Sequence, residues 1–363
     1  MNKEIKIKSK LGDYSVKWHN SYNNEFIDVF KKCRVAIVDK NVYEIYKNDG
    51  TFKYIDHIIL QDAKEDLKTM ETCLSICKKL LKFNLKRSEC ILAVGGGIIQ
   101  DLSTFVSSII FRGIPWIFIP TTLLAQADSC IGGKSSINLD KWKNQLGNFY
   151  PPKEIHVLPD YLNTLSDADI KSGLGEVIKV HYLSGKKYVD NIIKYFKLPE
   201  NDEKKLVLFN EIVFKAIKEK ARIIEEDEFD TGERLKLNYG HTFGHALETS
   251  THYKIPHGIA VEIGVDIANF VSMKLNKISK TDYQYLKTSI MQNLDGFNCT
   301  EADEESFIYG LKHDKKNRQN HYCFILPKKI GSVKIDYFPM DDSIEQIIHE
   351  YFANEYPSSG RNQ

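Results

Sequence analysis

Short apolar runs alternate with helical periodicity through the first half of the chain. Runs bounded by polar or turn residues, as expected of buried strands, recur at residues 34–39, 55–60, 90–94, 114–119 and 154–158. Residues 66–82 between them have apolar positions at helical spacing, and residues 1–18 alternate like a strand. Alternation of strands and helices predicts an α/β domain with a parallel sheet, whose ligands bind at the carboxyl ends of the strands.

The pattern changes near Ser172 and Gly173. From Leu174 to about Leu311 almost all of the chain has helical periodicity, and two strand-like runs follow at 321–326 and 332–336. The final residues, YPSSGRNQ, have a composition typical of a disordered tail. We therefore expect an α/β domain at 1–173, a mainly α-helical domain at 174–355 and a disordered tail at 356–363.

Composition narrows the class of protein. A chain of 363 residues is long enough for two domains with ample cores. The formal net charge of +1 favours neither nucleic acid nor an anionic membrane as a partner. No apolar run approaches the ~18 residues needed to span a bilayer, and the N-terminus lacks a signal-peptide core. The seven cysteines are scattered and odd in number, which fits a protein of the reducing cytoplasm.

A glycine-rich turn follows the strand expected at 90–94. Gly95, Gly96 and Gly97 come directly before a helical segment that contains Asp101. Such a turn lets backbone amides meet a pyrophosphate at a helix N-terminus. The spacing is not GxGxxG, however, and a simple tight turn explains three glycines equally well.

A dense polar segment comes next in the same domain. It contains Thr121 and Thr122, Asp128, and the run Gly-Gly-Lys-Ser-Ser that ends at Ser136. A long loop of this composition inside a compact domain is more often functional than not. Gly-Gly-Lys-Ser suggests phosphate binding, but the upstream glycine of a P-loop is absent, which excludes a P-loop NTPase.

Two histidines in the second half point to a metal. His241 and His245 are four residues apart, so a helix would place both imidazoles on one face. A glutamate with two histidines is a common catalytic zinc set, and Glu176, His241 and His257 would supply it. His241 and His245 could instead both be ligands, and the residues alone leave the two arrangements open.

Taken together, these motifs resemble the 3-dehydroquinate synthase family of sugar-phosphate cyclases. The resemblance covers about residues 35–316, and its strongest segments are FRGIPWIFIPTTLLAQADSCIGGKSSIN, KNQLGNFYPP, GLGEVIK and KARIIEEDEFDTGERLKLNYGHTFGHALE. Several long motifs in the right order are far more specific than any one of them. The resemblance implies an N-terminal Rossmann-like domain that holds NAD and a C-terminal helical domain that carries a divalent metal, zinc or cobalt.

The resemblance also implies the site residues, carried over position by position. The metal ligands would be Glu176, His241 and His257. NAD would be held by Asp39, Asn41, Glu65, Lys68, Gly95, Gly96, Gly97, Asp101, Thr121 and Thr122. Substrate would be met by Asn144, Lys179, Lys220, Arg234, Asn238, His245 and one of the pair Lys315 and Lys316. Asp128, Lys134 and Lys143 are expected to contact the substrate or the NAD. Arg112 resembles the family arginine that reaches the neighbouring subunit's site, which implies a homodimer.

The implied reaction belongs to the shikimate pathway. It converts 3-deoxy-D-arabino-heptulosonate 7-phosphate into 3-dehydroquinate and phosphate through transient oxidation by NAD, phosphate elimination, re-reduction and an intramolecular aldol step. The metal would stabilise negative charge on the alcohol oxygen, and His245 would relay the hydroxyl proton. Lys220 and Arg234 would grip the substrate carboxylate, arginine as a bidentate fork.

The chain departs from the family pattern at three positions. The family usually has glycine where Gln100 and Thr104 stand, beside the phosphate-binding turn, so the placement of NAD is expected to change. It usually has glutamate where Ile259 stands, which removes a possible partner of the metal site.

Two other activities are compatible with the sequence. One is a sibling cyclase that makes an aminated or otherwise modified ring. The other is a metal-dependent polyol dehydrogenase, which would release NADH and would not need so many cations directed at phosphate and carboxylate. Lys220 and Arg234 together favour an acid substrate but do not exclude its amino analogue.

Overall fold

The computed structural model describes residues 3–140 and 142–357. Its strands are β1 Lys3–Ile7, β2 Tyr14–Trp18, β3 Val35–Asp39, β4 His57–Gln61, β5 Ile91–Gly95, β6 Trp116–Pro120, β7 Ile137–Leu139, β8 Trp142–Leu146, β9 Glu154–Val157, β10 His321–Lys329 and β11 Ser332–Pro339. Its α-helices are α1 Asn24–Phe30, α2 Lys40–Tyr46, α3 Met70–Lys82, α4 Gly97–Ile109, α5 Asp167–Ser184, α6 Lys186–Lys197, α7 Glu203–Glu226, α8 His241–Ser250, α9 His257–Lys274, α10 Lys280–Leu294, α11 Glu304–Lys312 and α12 Asp342–Asn354.

The first compact unit, residues 1–165 with 220–229, is built on a seven-stranded sheet. The strand order is β1-β2-β9-β6-β5-β3-β4, and every pair except the antiparallel β1–β2 is parallel. β3, β5 and β6 are buried along their whole length, as expected of central parallel strands covered on both faces. The predicted α/β fold with a parallel sheet is confirmed.

The five internal strands predicted from apolar runs each begin within two residues of the predicted start. Two other elements differ from the prediction. The N-terminal alternation forms two strands, because the chain turns back near Gly12, where φ is +123°. The helix predicted at 66–82 begins at Met70, because residues 65–67 form a 3-10 turn and the Thr69 hydroxyl caps the helix by accepting from the Thr72 amide.

The second unit, residues 166–219 with 230–363, is mainly helical among its described residues, with the antiparallel pair β10–β11 as its sheet. Its first helix, α5, is capped by Ser166, whose hydroxyl accepts from the Asp169 amide. The boundary expected between 173 and 174 therefore falls inside α5. α7 contributes residues to both units, since the segment from Lys220 onward groups with the first.

The C-terminus is ordered further than the composition predicts. Tyr356, expected to begin a disordered tail, is only 5% exposed, and its hydroxyl donates to the Thr300 carbonyl at 2.7 Å. Residues 358–363 of that predicted tail lie outside the described residues. Among the residues that are described, no helix combines the length and apolarity needed to cross a membrane.

Candidate functional site

Three helices of the second unit bring a carboxylate and two imidazoles together. Glu176 lies inside α5, and His241 and His257 are the first residues of α8 and α9. Glu176 Oε1 is 3.6 Å from His241 Nε2 and 3.7 Å from His257 Nε2. Two ligands of a tetrahedral zinc ion are separated by about 3.4 Å, so the three atoms are spaced as ligands of one ion.

Two glycines make this convergence possible. A Cβ at Gly258 would lie 1.8 Å from the Ser172 carbonyl oxygen, and one at Gly175 would lie 2.2 Å from the Gly258 carbonyl oxygen. Only glycine therefore allows α5 and α9 to approach so closely. Because Glu176 follows Gly175 and His257 precedes Gly258, this backbone contact sets their side chains beside each other.

Both His241 and His257 present their Nε2 atom to Glu176. His241 Nδ1 lies 3.4 Å from the Tyr239 carbonyl oxygen, and His257 Nδ1 lies 3.3 Å from Glu248 Oε1. These acceptors assign the Nδ1 positions as donors, so each Nε2 keeps a lone pair directed at Glu176. Histidine ligands are commonly held in this way by an acceptor on the other ring nitrogen.

The electrostatics of the cluster also suit a divalent cation. Burial lowers the pKa of His241 well below its ordinary value, and the nearby Lys179 lowers it further, so that imidazole is neutral. Burial lowers the pKa of His257 too, but Glu248 and Glu176 outweigh it and raise the pKa above its ordinary value. Carboxylates that attract a proton to this place attract a metal ion for the same reason.

One carboxylate oxygen of Glu176 is available to bind a cation. The residue is 2% exposed, and its Oε2 is paired with the Lys179 ammonium. Its Oε1 is buried and has no hydrogen-bond partner among the described residues. A buried carboxylate oxygen without a donor is costly unless something positive binds it, and a metal held by Glu176, His241 and His257 satisfies it.

His245 belongs to a different group from the one at Glu176. The structure forms a second candidate set from His245, Glu248 and His257, and His245 is exposed on α8. The arrangement in which His241 and His245 both bind the ion beside Glu176 is therefore not the one that the structure forms. Glu248 also belongs to this site, because it contacts His257, and no spacing in the sequence indicated this contact.

The remaining predicted residues of the second unit have different settings. Burial lowers the pKa of both His241 and His245, and the charge of the nearby Lys316 lowers both further. The Lys316 ammonium bonds Asp314 Oδ2 at 2.7 Å. Lys315 is exposed, which distinguishes the two lysines. Arg234 is buried, and the Asn238 side-chain amide donates to the Leu235 carbonyl at 3.2 Å.

In the first unit, the glycine turn is shaped for close approach. A Cβ at Gly95 would collide with Ile99 at 2.5 Å, and one at Gly96 would meet Thr122 at 2.9 Å. Gly97 has only Ser129 Oγ within 4 Å, at 3.8 Å, so the space above it is open. The N-cap residue of α4 is Gly96, which has no side chain to accept from the first amides of the helix, so those amides are left for an anionic group such as a pyrophosphate.

A buried lysine organises the predicted NAD residues beside that turn. Lys68 Nζ lies 3.1 Å from Asp101 Oδ2, 3.2 Å from Glu65 Oε1 and 2.9 Å from Asn144 Oδ1. Burial raises the pKa of Asp101 to about 6 even though Lys68 opposes the shift. Asn138, which carried no signal in the sequence, binds both Glu65 and the Asn144 amide and joins the two segments.

The polar loop after β6 is held from two sides. Thr121 donates its amide to the Gly95 carbonyl at 3.0 Å, and the Thr122 hydroxyl accepts from the Ala125 amide. Lys220 Nζ lies 2.8 Å from Asp128 Oδ2 and 2.7 Å from the Asp128 carbonyl oxygen. The structure therefore joins two residues that were predicted separately.

Of the other predicted residues of the first unit, Asp39 lies beside the glycine turn, with its Cβ 3.2 Å from the position of a Cβ at Gly95. Asp39 caps α2 by accepting from the Asn41 amide at 2.8 Å, and Asn41 itself is exposed. Lys134 is exposed with its ammonium 6.0 Å from the centroid of the Phe149 ring, and Lys143 is half-buried in β8. Arg112 is exposed and has a left-handed φ of 61°.

The departures from the family pattern also have structural counterparts. The Gln100 side-chain amide donates to the Ser129 carbonyl at 2.6 Å, and its Oε1 accepts from the Ser129 hydroxyl at 2.7 Å. The Thr104 hydroxyl donates to the Gln100 carbonyl at 2.8 Å. Ile259 is fully buried in α9 and offers no acceptor to the metal cluster.

Comparisons with known proteins agree with this architecture. Residues 58–172 match the family model for the 3-dehydroquinate synthase N-terminal domain, and residues 173–317 match the model for its C-terminal domain. The 3-dehydroquinate synthase of Prochlorococcus marinus strain AS9601 is 33% identical over 95% of this chain and 98% of its own length. That of Campylobacter fetus is 36% identical over 74% of this chain and 76% of its own.

Solved structures share the fold at lower identity. 2-epi-5-epi-valiolone synthase from Streptomyces hygroscopicus, solved with NAD+ and Zn2+, is 20% identical with a TM-score of 0.83, covering 96% of this chain and 99% of its own. 2-deoxy-scyllo-inosose synthase, solved with carbaglucose-6-phosphate, NAD+ and Co2+, is 21% identical with a TM-score of 0.80 over the same shares. These two show the fold, whereas the family models and sequence relatives go further: the chain belongs to the 3-dehydroquinate synthase family.

Proposed function

We propose that this chain is a lyase that converts 3-deoxy-D-arabino-heptulosonate 7-phosphate into 3-dehydroquinate and phosphate. Membership of the 3-dehydroquinate synthase family supports the reaction. The observation that carries it at the site is the buried Glu176 Oε1, which has no donor and faces Nε2 of both His241 and His257. A chain with this set is equipped for metal-assisted chemistry on an alcohol.

The reaction uses NAD and one divalent metal, zinc or cobalt. Glu176, His241 and His257 would hold the metal, and the uncapped N-terminus of α4 with the open space above Gly97 would receive the pyrophosphate of NAD. When bound, NAD supplies a reversible hydride transfer and the metal supplies Lewis acidity. NAD ends the cycle in the form in which it began.

The protein residues bind the substrate and move its protons. His245, which is exposed on α8 beside the metal cluster, would take up the hydroxyl proton. Arg234 would bind the carboxylate as a bidentate fork, and Lys316, rather than the exposed Lys315, would face the substrate. The departing phosphate carries its own oxygen to accept the proton lost from the adjacent carbon.

Lys220 requires a modified role. Its ammonium already contacts two oxygens of Asp128, so its charge is largely compensated. Lys220 would therefore hold the Asp128 segment, and Arg234 would bind the substrate carboxylate, because a planar guanidinium can donate two parallel hydrogen bonds to it. Asn144, which Lys68 bonds, and Lys134 and Lys143 in the same unit would serve the phosphate or the NAD.

The assembly would be a cytoplasmic homodimer. Arg112 is exposed at a turn in which both Phe111 and Arg112 have left-handed φ values, so its side chain projects from the unit that carries it. An arginine in this setting is suited to reach a site on a second copy.

The direct test measures phosphate and NADH together. Purified protein is given the heptulosonate phosphate, NAD and zinc, while phosphate release and absorbance at 340 nm are followed. The proposal expects phosphate release that requires NAD, no net NADH, and 3-dehydroquinate as product. Steady accumulation of NADH would mean a dehydrogenase instead. Turnover of an aminated or neutral sugar phosphate, without turnover of the acid, would mean a sibling cyclase.

A further inference from the structure

His257 is the less firmly held of the two histidines in the metal cluster. The His241 side chain is 15% exposed, and its Nδ1 faces a backbone carbonyl, that of Tyr239. The His257 side chain is 40% exposed at the first residue of α9, and its Nδ1 faces a side chain, that of Glu248. Packing and backbone orient His241, whereas the orientation of His257 depends on Glu248.

Glu248 reaches His257 because of its place on α8. It is seven residues after His241, close to two helical turns, so it shares a face with His241 and His245. Its side chain is 14% exposed, and its Oε1 lies 3.3 Å from His257 Nδ1. Ile259, which stands where a carboxylate was expected from the family pattern, is buried and contributes no acceptor.

We propose that Glu248 is a positioning residue for the metal site: its carboxylate accepts from Nδ1–H of His257 and so directs the Nε2 lone pair of that ring towards the ion at Glu176 and His241. This inference rests on the proposed function, because it assumes that Glu176, His241 and His257 are the ligands. A carboxylate behind a histidine ligand fixes the tautomer and increases the basicity of the ring.

The rival assignment is that Glu248 is itself a ligand. His245, Glu248 and His257 also have ligand atoms within 4.8 Å of one another. The two assignments differ in what an amide would do in place of the carboxylate. A glutamine at 248 can still accept from His257 Nδ1, but a neutral amide oxygen is a poor substitute for a carboxylate bound directly to zinc.

The experiment measures zinc affinity without catalysis. The apoprotein and its Glu248→Ala, Glu248→Gln and Thr249→Ala variants compete with a chromophoric chelator for zinc, and the visible spectra of the Co2+ forms are recorded. We expect Glu248→Ala to weaken binding roughly 10- to 100-fold. Glu248→Gln should stay within a few-fold of the unmodified chain with the same cobalt spectrum. Thr249→Ala, which changes the exposed neighbour on α8, controls for disturbance of the helix and should bind normally.

Two results would overturn the inference. Unchanged affinity in Glu248→Ala would mean that His257 needs no partner. Equal losses in Glu248→Ala and Glu248→Gln, with an altered cobalt spectrum, would make Glu248 a ligand. If Glu248→Ala does not fold, Glu248→Met, similar in volume and unable to accept, replaces it in the same comparison. Failure of the unmodified chain to bind one zinc ion, or normal binding by Glu176→Ala, would instead refute the metal site of the proposed function.

A double variant tests whether Glu248 acts through His257. Against a His257→Ala background, Glu248→Ala should cost little further zinc affinity, because the ring that it orients is gone. A full additional loss in that background would contradict the positioning role.

Discussion

His19 and His156 are buried side by side in the first unit. His19 Nε2 lies 2.9 Å from His156 Nδ1, and His156 Nε2 lies 2.8 Å from Glu154 Oε2. Burial, together with the charges of His156, Lys17 and Lys32, lowers the pKa of His19 to about 4. A histidine held neutral in this way makes the unit sensitive to acid, because the unfolded chain takes up a proton that the folded chain refuses.

The pH window follows from the two pKa values of His19. Above pH 6.5 the His19 ring is neutral in the folded and the unfolded chain, so it contributes nothing to the pH dependence of stability. Between pH 6.5 and about 4 only the unfolded chain is protonated at this ring, so the free energy of unfolding falls as the pH is lowered. We predict that His19→Gln reduces that loss by up to roughly 3 kcal/mol over this range. Urea unfolding followed by tryptophan fluorescence measures it, because Trp18, Trp116 and Trp142 all belong to the first unit.

A matched control is available in the other unit. His313 is exposed, so His313→Gln should leave the acid dependence of the first unit unchanged. If His19→Gln lost stability with acid as steeply as the unmodified chain, the buried neutral ring would not be the cause.

At the scale of elements, α4 is fastened to the loop that follows β6. Gln100 on α4 and Ser129 exchange two hydrogen bonds, of 2.6 and 2.7 Å, and Gln100 is only 4% exposed. Ser129 follows Asp128, which Lys220 contacts. The side chain that departs from the family's glycine therefore ties α4 to the Asp128 segment.

Two substitutions at Gln100 separate this contact from helix propensity. Gln100→Ala keeps a good helix former but removes both hydrogen bonds, and we predict a loss of about 1–3 kcal/mol in the stability of the first unit. Gln100→Gly, the family residue, should cost about 1 kcal/mol more because glycine is a poor helix former. Tryptophan fluorescence in urea gives both values. Equal stability of Gln100→Ala and the unmodified chain would mean that the contact contributes nothing.

Helices and strands could be predicted from the sequence where burial requires a recognisable pattern of apolar residues. β3, β5 and β6 are wholly buried, so their apolar runs predicted them within two residues. β7 and β8 were missed because they are short and β8 is largely polar: its sequence is WKNQL, and Trp142 is 61% exposed. A two-stranded ribbon of this kind depends on tertiary contacts that periodicity does not report, such as the 3.0 Å bond from the Asn138 side-chain amide to Glu65 Oε1.

The candidate site was predictable in its residue types and not in its geometry. Residue types and spacing supplied Glu176, His241, His245 and His257 but could not choose among them, because the choice depends on how closely α5 and α9 approach. Only the resemblance to the family singled out Glu176, His241 and His257. That approach depends on the backbone contact of Gly258 with Ser172, two residues 86 positions apart in the chain. Glu248 was missed for the same reason, since nothing in its spacing indicates that His257 lies opposite.

At the scale of the whole molecule, the chain forms two compact units, and the boundary does not follow the sequence pattern alone. Helical periodicity indicated a second domain from about residue 174. The second compact unit does contain most of these helices, but residues 220–229, which include the end of α7, belong to the first unit. Periodicity could not reveal this division. Lys220 contacts Asp128, which is 92 residues away in the chain, and the helical pattern around a lysine does not depend on the unit that the lysine contacts.

We predict that the chain forms a homodimer in which Arg112 of one chain completes the site of the other. Two heterodimers, purified through different tags on the two chains, test it. When one chain carries Arg112→Ala and the other Glu176→Ala, one site keeps both residues if Arg112 acts across the interface, so about half of the unmodified activity should remain. When a single chain carries both substitutions beside an unmodified partner, each site lacks one residue and activity should vanish. If Arg112 acts within its own chain, the outcomes exchange: the first heterodimer is inactive and the second keeps about half, since its unmodified chain is then complete. Phosphate release from the two heterodimers therefore decides between the two arrangements, and two monomers in place of a dimer would remove the premise.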